Sequence, residues 1–222
     1  MARVATTRRR GLAPRRKREG QSRAAILEAA ERIFAEAGYG GARTDAIAAQ
    51  AGVNKALLYY YFKSKDALYR AILHEHLKEF QQRVSEVLSA EGSARSKLLK
   101  YVSMHFDFIS ARPHYPRLVQ RLVMTGGKPL ESLAREFFVP LHRKLTALID
   151  SGVRAGEFRP VDSHHTVLSL AALIVFYFTL APIWRAVTHI DPYRKVHLER
   201  RKEEVLNFIR YALFKNGKGN EA

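Results

Sequence analysis

The chain has 222 residues, 38 Lys+Arg against 21 Asp+Glu for a formal charge of +17, and no cysteine. That length can bury a core in one large domain or in a small one joined to a medium one, and the charge makes polyanions the first partners to consider. Disulfides, thiolate metal sites and cysteine nucleophiles are excluded, in keeping with a reducing compartment.

The charge is uneven. Residues 1–24 hold nine basic side chains and one acid, and Gly11, Pro14 and Gly20 interrupt them. With few large apolar side chains to form a packed face, residues 1–21 read as a disordered basic arm. Such an arm is either a solvated tail or a source of phosphate neutralisation that reaches into a minor groove. No apolar stretch of signal-peptide length follows it, so a cytoplasmic protein is expected.

From Ser22 the residues Ile26, Leu27, Ala30, Ile33, Phe34 and Ala37 recur at helical spacing, with Gly38 as the stop. Thr44 is placed to cap a short second helix ended by Gly52, and Asn54 to cap a third whose inward positions are Leu58 and Phe62. Two short helices meeting at Ala51-Gly52-Val53 have the form of a helix-turn-helix, although the same spacing occurs in ordinary helical proteins. Ser64 caps a long fourth helix with Asp66 in its first turn and an apolar stripe from Leu68 to Leu88.

Further helices are predicted at about 94–110, 115–124, 129–155, 163–188 and 193–215. No segment alternates with period two, so the fold class is all-α with about nine helices. A small three-helix domain over 22–68 precedes a larger helical domain over 69–222. The run Val167 to Trp184 has the length of a membrane span. It contains Ser169, Thr179 and Pro182, and a core or dimer helix explains it better, so no membrane partner is expected. Paired with a twofold copy, the last two helices would close a four-helix homodimer interface.

The residues Ile26-Leu27-Glu28-Ala29-Ala30, Phe34, Gly38-Tyr39, Thr44, Ile47-Ala48, Ala51-Gly52-Val53, Leu58 to Phe62 and Lys63-Ser64-Lys65 closely resemble the DNA-binding domain of the TetR family of repressors. The resemblance covers about residues 22–70; beyond them only the number and length of helices agree. It implies a ligand-responsive transcriptional regulator with its DNA-binding domain over 22–68 and its ligand-binding and dimerisation domain over 69–222, a repressor that binds a palindromic operator in double-stranded DNA as a homodimer and is released by a small-molecule effector. It also implies that Tyr59 and Tyr60 approach bases or backbone, that Tyr61 stands where a histidine often meets a phosphate, and that Lys65 is a phosphate contact.

Chemistry adds to this. Thr44 brings a hydroxyl to a helix N-terminus, a ready phosphate clamp. Lys55, in the first turn of the third helix, can donate to guanine, and Ala56 and Leu57 offer apolar contact to a thymine methyl. At positions 54, 56 and 57 the family commonly has serine, glycine and threonine or serine; Asn54, Ala56 and Leu57 depart from it. The departures and the arginine arm leave open an alternative, a sequence-tolerant nucleoid-binding protein without an inducer.

Residues 72–215 are rich in aromatic side chains, most of which a plain core explains, but helical bundles also hold cavities. The candidate contacts to a largely apolar or aromatic effector are His105, Phe108, Arg117, Arg121, Phe137, Phe176 and Tyr177, with His105, Arg117 and Arg121 at its polar end. His74 and His76 face different directions on one helix, and His164-His165 have only Asp162 nearby. No phosphate loop, catalytic carboxylate pair or nucleophile motif occurs, so no catalytic residue, metal or cofactor is expected. An effector among the body helices would shift a population of dimers, with the fourth helix as the lever.

Overall fold

In a computed structural model, which describes residues 15–215, the chain forms ten α-helices and one π-turn, joined by short loops. Helix α1 (Arg15–Gly41) starts seven residues before Ser22. The basic arm read over 1–21 is therefore corrected for residues 15–21, where arginine, lysine, glutamate and glutamine propagate a helix that absorbs about 1 kcal/mol for Gly20. Residues 1–14 of that arm lie outside the described residues. Gly38 (φ 68°, ψ 172°) occupies a conformation essentially restricted to glycine and breaks α1 where the sequence puts the stop. One more turn carries the chain to Gly41.

The chain divides between Ala71 and Ile72 into two compact units. In the first, α2 (Thr44–Gln50) and α3 (Lys55–Phe62) pack with α1 around Ile26, Phe34, Ile47, Leu58, Phe62 and Leu68, all buried. Gly52 (φ 67°) makes the turn between α2 and α3. Helix α4 (Lys65–Ser89) crosses the division, so it belongs in part to each unit.

The second unit contains α5 (Ala94–Ser110), α6 (Tyr115–Thr125), α7 (Gly127–Leu133), the π-turn (Ala134–Phe138), α8 (Val139–Arg154), α9 (Ser163–Thr188) and α10 (Lys195–Leu213). Ser93 caps α5 by accepting from the Ser96 N–H, and Asp162 caps α9 by accepting from the His165 N–H at 2.9 Å. The single helix expected over 129–155 is interrupted by the π-turn for a local reason. Pro140 has no N–H for the Glu136 carbonyl and its ring crowds that oxygen, so the turn widens and the Val139 N–H bonds to the Ala134 carbonyl.

Helix α5 runs through the core of this unit. Leu98, Val102, Phe106 and Ile109 pack with Leu145 and Ile149 of α8, Ile174 and Phe178 of α9, and Val205 and Ile209 of α10. Each such side chain contributes about 1.5–3 kcal/mol by leaving water. The α8–α9 loop is tied to the end of α10 by a short bridge, in which the Arg159 N–H bonds to the Leu213 carbonyl and the Phe158 and Phe214 rings stack at 5.5 Å.

Helix α9 explains the long apolar run. Its mean hydropathy reaches 2.1 over an eighteen-residue window, which meets a membrane-span test by composition. One face (Val167, Leu170, Ile174, Phe178, Ala181) is core, whereas Phe176, Ile183, Trp184 and Val187 on the other are exposed. Phe208 and Tyr211 of α10 are exposed as well.

Candidate functional site

Two places in the chain combine exposure or concavity with chemistry, one in each unit. In the first unit the core positions Leu58 and Phe62 anchor α3 and turn its remaining residues outward. Asn54 Oδ1 accepts from the Leu57 N–H at 2.7 Å, so Asn54 acts as the N-cap. Lys55, Ala56, Tyr59 and Tyr60 are exposed and Leu57 is half-buried. Tyr60, at 65% exposure, has Lys63 Nζ over its ring at 5.5 Å.

Thr44 is not the cap of α2. Arg43 holds that position without a side-chain bond, while the Thr44 hydroxyl shares a hydrogen bond of 3.2 Å with the Tyr59 hydroxyl. The side-chain oxygen thus joins α2 to α3 instead of closing its own helix. Lys55 is also engaged: its Nζ lies 2.7 Å from Asp45 Oδ1, and the carboxylate raises its pKa by hydrogen bonding and charge. Both side chains are more than half exposed, so water screens the pair and it opens readily.

Lys65 and Tyr61 are half-buried at the ends of adjoining helices. Lys65 Nζ sits 4.6 Å from the centroid of the Tyr39 ring, and the Tyr39 hydroxyl donates to Asp66. Tyr39 in turn stacks on Phe34 at 5.7 Å and meets Tyr69 edge-on. An aromatic cluster therefore fixes the start of α4. Between α3 and α4, Lys63 adopts φ 60° and ψ −38°, and the Ser64 N–H bonds to the Phe62 carbonyl across it. Asp45 is absent from the sequence reading, and Tyr39 and Asp66 appear there without this contact, because partners one helix away leave no periodic signal.

In the second unit a cavity of about 450 Å³ lies among α4, α5, α6, α8 and α9. Leu77, Phe80, Ile109, Leu145 and Val175 supply apolar walls, and Tyr101, His105, Tyr115, His142, His164 and His165 the polar groups. His164 and His165 are exposed and His142 is half-exposed, whereas Tyr101 and His105 are buried, so the polar groups lie at two depths. At the outer level His142 Nε2 and His164 Nδ1 are 3.3 Å apart. At the inner level Tyr101 Oη and His105 Nδ1 are 3.1 Å apart. Desolvation pushes His105 down to about 3, which keeps it neutral, and raises the pKa of Tyr101 and Tyr115.

Of the seven residues expected at the ligand, only His105 lines this cavity. Phe108 is core, packed against Phe80 and Tyr115 with the Arg112 guanidinium 3.9 Å from its ring centroid. Arg117 and Arg121 are exposed on α6, whose apolar stripe turns the other way. Phe137 meets the His74 ring edge-on, and Glu136 beside it bonds His74 Nε2 at 2.9 Å; the next residue, Phe138, lines the cavity. The π-turn adds a residue to the repeat and so displaces a count made at helical spacing. Phe176 and Tyr177 line a different, more open depression of about 890 Å³ on the outer face of α9 and α10, with Trp184, Arg201 and Phe208.

A family model for bacterial regulatory proteins of the tetR family matches residues 26–72, and one for the tetracyclin repressor-like C-terminal domain matches residues 95–209. The HTH-type transcriptional regulator RutR of Escherichia coli (strain K12) is 30% identical over 187 residues, covering 83% of this chain and 87% of its own. The structure of the transcriptional regulator FadR from Bacillus subtilis in complex with stearoyl-CoA superposes with a TM-score of 0.68 at 23% identity, over 84% of this chain and 96% of that one. A regulator from Saccharomonospora viridis in complex with choline gives 0.70 at 20% identity, over 89% of this chain and all of the other.

Proposed function

This chain belongs to the TetR family of DNA-binding transcriptional regulators, and on that premise we propose that it is a repressor which holds a palindromic operator as a homodimer and lets go when a small molecule enters the second unit. The observation that carries this reading is the outer face of α3, where Lys55, Ala56, Tyr59 and Tyr60 stand exposed on a helix capped by Asn54 and anchored by Leu58 and Phe62. In the complex the first turn of α3 enters the major groove, Lys55 leaves Asp45 for a base edge, and Ala56 and Leu57 meet apolar groups. Thr44, Tyr61 and Lys65 grip the phosphates on either side.

The dimer is formed by the exposed apolar face of α9 and α10, where Phe176, Ile183, Trp184, Val187, Phe208 and Tyr211 are left for a twofold copy to cover. Its symmetry sets the two recognition helices about 34–36 Å apart, one turn of DNA. The effector occupies the cavity, which Leu77 and Phe80 of α4 help to line. Because α4 also begins the last segment of the first unit, its position is the natural variable for an effector to bias, and a differential affinity of about 1–3 kcal/mol between two states suffices for induction. The protein works in the cytoplasm, where both DNA and effector are met.

Selection of bound fragments from random DNA, followed by footprinting, tests the reading. Discrete palindromes with half-sites one turn apart are expected. Uniform coverage would support a sequence-tolerant nucleoid binder instead. Ile183→Glu should yield monomers by sedimentation and abolish binding to the paired half-sites, and a dimer that survives it would place the interface elsewhere.

A further inference from the structure

The two solved neighbours hold ligands of opposite chemistry, an acyl thioester and a quaternary ammonium, so this fold leaves the ligand class to the lining of each cavity. Here the lining contains no aspartate, glutamate, lysine or arginine. Its buried polar residues are Tyr101, His105 and Tyr115.

The Tyr101–His105 pair has a defined polarity. An imidazole nitrogen is a better acceptor than a phenol oxygen, and Tyr101 has no other hydrogen-bond partner among the described residues, so its hydroxyl donates to His105 Nδ1. A neutral imidazole that accepts at Nδ1 carries its proton on Nε2. That N–H has no acceptor among the described residues, and His105 lines the cavity. The inner end of a largely apolar space therefore presents two donors that lack an acceptor among the described residues, His105 Nε2–H and the Tyr115 hydroxyl, of which the imidazole N–H is held in place by the Tyr101 bond.

We propose that the cavity takes an uncharged, mainly apolar molecule bearing a carbonyl-type acceptor (a ketone, ester, lactone or thioester) and that His105 Nε2–H donates to that oxygen. The inference deepens the effector reading above and rests on it for the site. A carboxylate at the inner end would be buried against a neutral imidazole with no cation to pair with. A quaternary ammonium would meet the positive end of the N–H bond with no carboxylate in the lining. The rings of Phe80, Tyr101, Tyr115 and Phe138 do offer it π faces, which makes a quaternary ammonium the strongest competitor in the test below.

The test uses the full-length protein and displacement of the neutral fluorophore N-phenyl-1-naphthylamine by ten-carbon probes that differ in the head group: decane, 2-decanone, decanoate and decyltrimethylammonium. At pH 7 we expect 2-decanone to bind about tenfold more tightly than decane and than either ion, as one unopposed hydrogen bond implies. His105→Leu should abolish the advantage over decane while leaving decane affinity within about threefold. His105→Gln, which keeps an N–H in reach, should restore part of it. The advantage should stay level from pH 5.5 to 8, because Tyr101 on the same helix, Tyr115 on α6 and Phe80 on α4 do not ionise there, and His142, His164 and His165 lie at the outer level.

An equal affinity for decane, an advantage that survives in His105→Leu, or tightest binding by either ion would overturn the proposal. Release of operator DNA, followed in the same titrations, keeps the two readings apart. An ion that binds best and releases DNA leaves the effector reading standing and removes this one; a ketone bound with the stated selectivity that leaves DNA bound does the reverse.

Discussion

Acid should weaken the second unit through one side chain. His105 is 8% exposed, and burial pushes it from 6.5 down to about 3, so the folded unit keeps its imidazole neutral. Between those two values the unfolded chain binds a proton that the folded chain does not, and stability must rise with pH. The contribution is fully present above pH 6.5 and is lost as pH falls below it, with a slope approaching about 1.4 kcal/mol per pH unit. From pH 7 to pH 5 His105 alone removes about 2 kcal/mol, a large share of the stability of an ordinary domain. The assay is urea unfolding at the two pH values, followed by the fluorescence of Trp184, the single tryptophan, which lies in this unit. His105→Gln keeps an acceptor for the Tyr101 hydroxyl but cannot ionise. Wild type should lose about 2 kcal/mol more than the variant between pH 7 and pH 5. Parallel losses would mean that His105 is solvated or protonated in the fold, and the reasoning would fail.

Gly152 lies on α8 where an added Cβ would stand 2.3 Å from the Phe158 ring, with Ala94 also close. Because Phe158 is buried, Gly152→Ala should cost about 1–3 kcal/mol in thermal or urea unfolding, and a neutral result would mean that the α8–α9 loop repacks freely. At Lys63, φ 60° strains any residue with a Cβ, so Lys63→Gly should stabilise the first unit by about 1 kcal/mol in a melt, and a lower melting temperature would refute the strain. Asp45→Asn frees Lys55 and removes a negative charge beside the reading face, so it should tighten operator binding several-fold at constant salt while leaving stability nearly unchanged. Weaker binding in a fluorescence-anisotropy titration would instead assign Asp45 the task of aiming Lys55.

Short-range physics was the most legible part of this protein. Asn54 and Ser64 cap their helices, Gly38 and Gly52 take positive φ, and Leu58 and Phe62 point inward as their spacing requires. Thr44 has the position of a cap by spacing alone, but its hydroxyl bonds to Tyr59, fifteen residues away. Helix α1 begins before Ser22 because arginine and lysine, besides carrying charge, have high helix propensity.

The cavity was the least legible. Aromatic content located a core but could not divide it into wall, interior and outer face: Phe108 packs inside, Phe176 points out, and Phe138 rather than Phe137 reaches the space. A helical period assigns a residue to a side of its own helix, whereas a cavity is bounded by several helices whose rotations depend on all their contacts together. The sequence by itself determined the all-helical class, the capped reading helix and the family, because each follows from neighbours within a few turns or from residues matched in order. Only the tertiary structure decided that Asp45 holds Lys55, that Pro140 shifts the register of the cavity wall, and that His105 presents an unopposed donor inside. Those facts arise between segments far apart in the chain, where burial and mutual satisfaction of polar groups set the outcome.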